Sequence, residues 1–341
     1  MIELTDDLAF QALRKTWQPV ANSDALAIGD LIHYKLLNVD LVIARFETGL
    51  LAADQACPHK GMRLELGCIE KGELQCPYHG WRFNQQGECT KIPSLENPPC
   101  ERLQSAHLNN YDVEERYGMI WVKLDKDEIT PLPNIPEFEN SDWHYLVAEP
   151  MFFDAGFRRE IENYLDMTHF AFAHKNSLGL AAKEIMPEMD IVETADGYEM
   201  NAPFPALQNP DEIPGKLQEA HHRKQHGYMP NFTTIRQSFH DGDERVLVHI
   251  PSPNTEESCT VFWALAISPD FDGPAPEKQI EFAINVLNED RLMCENQRPK
   301  EVPLKPSRSG WGLLVTPGDN LSVTFQKRFR DFLIEHHESL S

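Results

Sequence analysis

Hydrophobic positions follow two different patterns along the chain. In residues 1–20, Leu8, Leu13 and Trp17 recur at helical spacing among polar neighbours, which predicts a short packing helix. From about 24 to 123 the apolar residues gather in short β-rich runs, Leu36-Leu37, Leu41 to Phe46 and Gly118 to Val122, with Gly, Asn and Pro between them. A small antiparallel β domain is expected there. Near 125 the pattern breaks into Asp-Lys-Asp-Glu and the proline-rich TPLPNIPEF, an extended connection that divides the chain into domains 1–125 and 126–341. In the second part, helical windows at about 158–176, 277–298 and 322–338 interrupt strand-like runs at 246–250 and 260–267 without regular alternation. That is an α+β pattern, an antiparallel sheet flanked by helices. Residues 205–230, rich in Pro, Gln and charge, read as a solvated loop; within it His221-His222-Arg223-Lys224-Gln225-His226 is either a solvated cluster, a lid or an anion contact.

Composition narrows the class. The 341 residues are 41% hydrophobic and 25% charged, as in a globular protein, and the net charge of −23 sets the surface against nucleic acid and anionic membranes. Apolar runs such as Met119-Ile120-Trp121-Val122 fall far short of the ~20 residues of a membrane span, and MIELTDDLAF lacks a basic start followed by an apolar stretch. No membrane and a cytoplasmic location are expected. Seven cysteines, an odd number sparse for the length, point to reduced thiols or metal ligands.

Two constellations carry chemistry. Cys57-Pro58-His59-Lys60-Gly61 is followed by Cys76-Pro77-Tyr78-His79-Gly80-Trp81, so two thiolates and two imidazoles arrive as C-x-H and C-x-x-H in tight loops. Such a set can hold zinc, or a Rieske [2Fe–2S] cluster in which cysteines bind one iron and histidines the other; paired loops in a β-rich segment favour the cluster. Further on, Asn163, Asp166 and His169 are spaced by three, which on a helix places them about 60° apart along one face. His174 would lie about 140° from His169, so both imidazoles reach one ion only if the helix ends or bulges near Phe172. A two-histidine, one-carboxylate triad leaves iron(II) open positions. Its carboxylate is sought in 279–297, where Asp290 occupies the middle of the apolar stripe Ala283, Leu287, Cys294, whereas Glu281 and Glu289 read as solvent-facing acids.

The loops at 57–61 and 76–81 resemble those of the Rieske non-haem iron oxygenases, with Lys60 where those enzymes usually carry arginine. The resemblance continues through N-x-x-D-x-x-H-x4-H at Asn163–His174 and, more loosely, Glu289-Asp290-Arg291 before Gln297-Arg298-Pro299, and covers most of the chain. It implies a Rieske domain followed by a helix-grip catalytic domain, with the cluster on Cys57, His59, Cys76 and His79. The mononuclear iron then falls to His169, His174 and Asp290, with Asn163 nearby and Asp166 bridging the two metal centres across neighbouring subunits of a homotrimer.

The same resemblance implies a terminal oxygenase acting with O2 on an organic, aromatic-type substrate. Since neither a Rossmann glycine fingerprint nor a P-loop occurs, electrons come from a separate NAD(P)H-dependent reductase, directly or through a ferredoxin. Monooxygenation, as hydroxylation or oxidative demethylation, is preferred; a cis-dihydroxylating dioxygenase, a Rieske electron carrier without oxygenase activity and a zinc-stabilised binding module are the alternatives. Met200, Phe204, Phe232, Phe239 and Phe262 are candidate pocket walls. Lys60, Arg63, Lys71 and Arg82 offset Glu65, Glu70, Glu73 and Glu88 and suggest an approach surface for an acidic partner. Replacing His59 by Cys is expected to keep iron but lower the cluster potential toward all-thiolate behaviour, since imidazole ligation raises it; redox titration followed by EPR checks this.

Overall fold

The computed structural model describes residues 4–175, 177, 188–203, 220–305 and 314–339. Phe204 and the 205–219 part of the expected loop lie outside them. Backbone contacts divide the chain into two compact units, Leu13–Leu132 and Met1–Ala12 with Pro133–Ser341. The first twelve residues thus group with the second unit, whereas the sequence boundary keeps them in the first. Asp6, at the start of α1 (Asp6–Arg14), pairs at 2.6 Å with the buried guanidinium of Arg158.

In the first unit, β1 (Gln18–Asn22), β2 (Leu31–Leu36), β3 (Val39–Phe46) and β4 (Gly49–Asp54) precede four short strands: β5 (Cys68–Glu70), β6 (Glu73–Gln75), β7 (Arg82–Phe83) and β8 (Cys89–Lys91). After α2 (Cys100–Gln104) come β9 (Asn110–Arg116) and β10 (Met119–Lys123). The strands form a six-stranded antiparallel sheet in the order β1-β10-β9-β4-β3-β2 and a four-stranded one in the order β5-β6-β7-β8. Val42, Ala44, Leu64, Leu74 and Phe83, all without exposed surface, belong to one apolar cluster with Cys57 and Cys76, so both cysteines emerge from the core.

The second unit holds α3 (Pro136–Glu139), β11 (His144–Val147), β12 (Met151–Phe153), α4 (Phe157–Leu165) and α5 (Phe170–Ala173). Then follow β13 (Asp190–Glu193), β14 (Gly197–Pro203), β15 (Ala220–Tyr228), β16 (Phe232–Phe239), β17 (Glu244–Thr255) and β18 (Ser258–Ile267), and finally α6 (Pro276–Asn296) and α7 (Asn320–Glu335). The strands make one antiparallel sheet in the order β11-β18-β17-β16-β15-β14-β13, with β12 also on β18. The 221–226 cluster is therefore strand, in correction of the loop reading: Arg223 and Gln225 are buried and Lys224 and His226 less so, the period-two alternation of a pleated strand. Its high polarity hid that alternation.

Register stacks side chains of equal parity into rows across this sheet. One row runs Arg223–Gln237–Arg245, the next Gln225–Ile235–Leu247–Leu265, and a third Thr233–His249–Trp263. The first row is polar, whereas the middle of the second is apolar.

The expected helix 158–176 is broken. It ends at Leu165, and Asp166 takes extended backbone angles (φ −80°, ψ 124°). The cause is local: Asp166 Oδ1 accepts from Thr168 N at 2.6 Å and Thr168 Oγ1 at 2.7 Å, giving that backbone N–H a partner outside the helix. Asn163, Asp166 and His169 consequently do not share one helix face. The chain resumes helical form only over α5, capped by His169 and His174.

Helix α7 turns Leu321, Phe325, Phe329 and Phe332 inward, and the Phe329 ring meets Phe157 at 5.7 Å. Phe329→Ala, at a side chain with no exposed surface, is expected to lower stability by about 3–5 kcal/mol, measurable as a reduced midpoint in urea unfolding.

Candidate functional site

The two cysteine loops are built alike. Cys57 N donates to Met62 O at 2.8 Å and Gly61 N to Cys57 O at 2.8 Å; in the second loop Cys76 N donates to Trp81 O at 2.9 Å and Gly80 N to Cys76 O at 3.1 Å. Gly61 and Gly80 both have φ of 68°, a left-handed turn that glycine enters without a Cβ clash. The loops bring the Nδ1 atoms of His59 and His79 to 3.1 Å, while His59 stacks on Trp81 at 4.6 Å. Below them Cys57 and Cys76 are both 2% exposed. Burial pushes the Cys57 thiol up to about 11, and the adjoining Cys76 thiol adds to the rise. A thiol buried in this way resists ionisation unless a cation compensates the thiolate. The donor set, sulfurs inside and imidazole nitrogens outside, fits a [2Fe–2S] cluster of the Rieske kind.

Around these loops the basic side chains are more engaged than the charge tally suggests. Arg82 pairs with Glu70 at 3.2 Å and Glu73 at 3.5 Å, and Arg63 pairs with Glu65. Their positive charge is largely neutralised in place.

In the second unit the break after α4 turns His169 and His174 toward Asp290 of α6. His169 Nε2 and His174 Nε2 stand 3.0 Å apart, and Asp290 Oδ1 lies 3.3 Å from the first and 3.1 Å from the second. Both outer nitrogens face carboxylates: His169 Nδ1 donates to Asp166 Oδ2 at 3.4 Å, His174 Nδ1 to Glu289 Oε2 at 2.9 Å. With those protons outward, both Nε2 atoms turn lone pairs toward the same point. Burial lowers the His169 pKa, but Asp166 and Asp290 outweigh it and raise it to about 9. The set fits iron(II), and the carboxylates behind both imidazoles are the outer partners that orient metal-bound histidines. Asn163 Nδ2 donates to Asp290 Oδ1 at 2.7 Å and fixes that carboxylate.

Glu289 is thus not the solvent-facing acid of the sequence reading. Consecutive helix positions lie about 100° apart, so α6 aims Asp290 at the metal point and Glu289 at the back of His174, where Ser177 Oγ also reaches it at 2.5 Å.

The triad lines a cavity between α6 and the sheet. Its walls include Phe170, Leu247, Trp263, Leu265 and Phe282, with Tyr164 stacked on His249 at 3.7 Å. Met200, Phe232, Phe239 and Phe262 do not line it. Phe262 projects from the strand face opposite Trp263, and Phe239 packs with Ala220, Phe271 and Phe282.

Residues 16–112 match the Rieske [2Fe-2S] domain, and residues 153–333, just over half the chain, match the vanillate O-demethylase oxygenase C-terminal domain. The chain belongs to the Rieske non-haem iron oxygenase family. This Rieske oxygenase is 26% identical over 349 residues to methylxanthine N1-demethylase NdmA of Pseudomonas putida, covering 96% of this chain and 91% of that protein. It is 28% identical over 328 residues to methylxanthine N3-demethylase NdmB of the same species, covering 92% and 88%. The structure of NdmA with caffeine aligns with a TM-score of 0.83 at 25% identity, over 97% of this chain and 94% of that one. As an oxidoreductase of this family it uses a Rieske cluster and a mononuclear iron, and acts on an organic substrate with O2 and electrons from a reductase. No described helix is long and apolar enough to cross a membrane.

Asp290→Ala is expected to abolish retention of the mononuclear iron, whereas Glu289→Ala weakens it about 10–100-fold. Both leave the visible Rieske spectrum unchanged. Iron analysis and iron(II) titration of the purified variants measure the difference.

Proposed function

We propose that this oxygenase oxidatively demethylates its substrate in the cavity beside His169, His174 and Asp290, a monooxygenase reaction fed by a separate NAD(P)H-dependent reductase. The observation that carries the reading is the triad lining a cavity whose walls include Phe170, Leu247, Trp263, Leu265 and Phe282. The match to the vanillate O-demethylase oxygenase domain and the likeness to two N-demethylases favour methyl removal over ring cis-dihydroxylation. An intact triad with its cavity also argues against a pure electron carrier.

Each residue then has a task. Cys57, Cys76, His59 and His79 hold the cluster, with the imidazoles at the exposed side where a partner can approach. His169, His174 and Asp290 hold the iron, which when bound supplies the activation of O2. Asn163 keeps Asp290 in position through its 2.7 Å hydrogen bond. Burial tends to raise the Asp166 carboxyl, but hydrogen bonds from His169 and Thr168 hold it below the usual carboxylate range, so it stays an anionic acceptor that orients His169. By the family resemblance Asp166 also accepts from His79 of the partner subunit, in a cytoplasmic homotrimer. The walls exclude water from the reacting methyl group. Overall, a methyl group on O or N leaves as methanal, one oxygen atom of O2 entering it and the other entering water, at the cost of two electrons and two protons.

Incubation with a surrogate reductase, NADH and a panel of methyl ethers and N-methyl compounds is expected to release methanal in proportion to NADH consumed. Isotopically labelled diols would instead identify a dioxygenase. Asp166→Asn is expected to retain a reducible cluster and most of its iron yet lose at least 90% of turnover, read by single-turnover cluster reoxidation.

A further inference from the structure

Two arginines stand at the end of the cavity remote from the iron ligands. Arg223 on β15 and Arg245 on β17 flank Gln237 of β16 in one cross-strand row, so all three project from the same face. Both arginines line the cavity. Arg223 is only 5% exposed. Its Nη2 donates to Gln225 Oε1 at 2.9 Å, and its Nε has no acceptor. Arg245 donates through Nε to Gln237 Oε1 and through Nη1 to Gln279 Oε1 at 3.1 Å. Every one of these acceptors is a neutral amide, and among the described residues no carboxylate forms an ion pair with either guanidinium.

A guanidinium stays charged in proteins, and buried arginine is almost always paired. Burial draws Arg245 down to about 10 and lowers Arg223, the direction expected of cations without a compensating anion. Neighbouring Tyr164 cannot serve as that anion, because burial pushes its phenol far above the usual range. Two cations thus face the cavity with a donor left over, in a chain whose net charge is −23.

Resting on the demethylase reading of the same site, we propose that the substrate is an organic carboxylate whose anionic group is clamped by Arg223 and Arg245. The clamp and the triad sit at opposite ends of the cavity. Along α6, Gln279 contacts the arginine row and Asp290 the iron ligands, a rise of about 16 Å. Between them the walls are Leu247, Leu265 and Phe282, which suit a flat apolar body such as an aromatic ring. The methyl group to be oxidised therefore lies across the ring from the carboxylate, and a planar fork of donors is the geometry that fixes a carboxylate's orientation.

The iron-loaded holoenzyme is titrated without O2 against 2-, 3- and 4-methoxybenzoate and the three matching methoxybenzamides, by calorimetry and thermal shift. At least one acid is expected to bind ten or more times tighter than its amide. Arg223→Gln and Arg245→Gln should each remove most of that preference while the Rieske spectrum, as a check of folding, stays unchanged. Arg245→Lys, keeping charge but losing the fork, should fall between. No acid preferred over its amide, or a preference that survives both glutamine variants, overturns the clamp. Failure of the demethylase reading looks different: acids then bind in an arginine-dependent way, and reductase-driven turnover yields no methanal from any of them.

Discussion

Two imidazole nitrogens and one carboxylate oxygen held within 3.3 Å of each other are the contact on which the catalytic unit depends. Burial penalises the charge of that carboxylate, and only the contacts from the two imidazoles outweigh the penalty. The chain supports the arrangement from behind. Asp166 and Glu289 orient the outer faces of the two imidazoles, Asn163 restrains Asp290, and an aspartate turn at 166–168 breaks the helix that would otherwise point the histidines apart. Each support fixes a different member of the set, so the three ligand atoms converge through several independent contacts.

Much of this was legible in the residues themselves. The two cysteine–histidine loops mark their candidate ligands by spacing, and Asp290 stands out because it interrupts an apolar stripe. Helical geometry also requires a break before both His169 and His174 can reach one ion. The break falls earlier than Phe172 because Asp-x-Thr competes for the backbone, a signal present in Asp166-Met167-Thr168 but outweighed by the surrounding apolar periodicity. Glu289 was hidden for the opposite reason: an acid on a helix has an obvious solvent role, and only the approach of His174 gives it another.

The polar floor of the cavity was the least readable part. In His221-His222-Arg223-Lys224-Gln225-His226 inward and outward positions are both polar, so no hydrophobic alternation marks a strand. Strand β17 carries the clearer clue, since Arg245, Leu247 and His249 share one parity and β18 pairs Leu265 and Trp263 against the last two. Register turns such scattered residues into rows, and a row appears only when neighbouring strands are aligned. The candidate phenylalanines, judged singly, could not be sorted into cavity wall and core for the same reason.

The four-residue helix α5 is far too short to stand by itself in water, where nucleation cost defeats helices below about 12 residues. Both of its caps, His169 and His174, are proposed iron ligands. A metal ion bonded to the two ends of so short a segment is a cross-link, closing a small loop and removing chain entropy from the open form much as a covalent staple does. Iron held by these two residues would therefore favour the ordered form of the segment, and with it the wall that α5 lends to the cavity through Phe170.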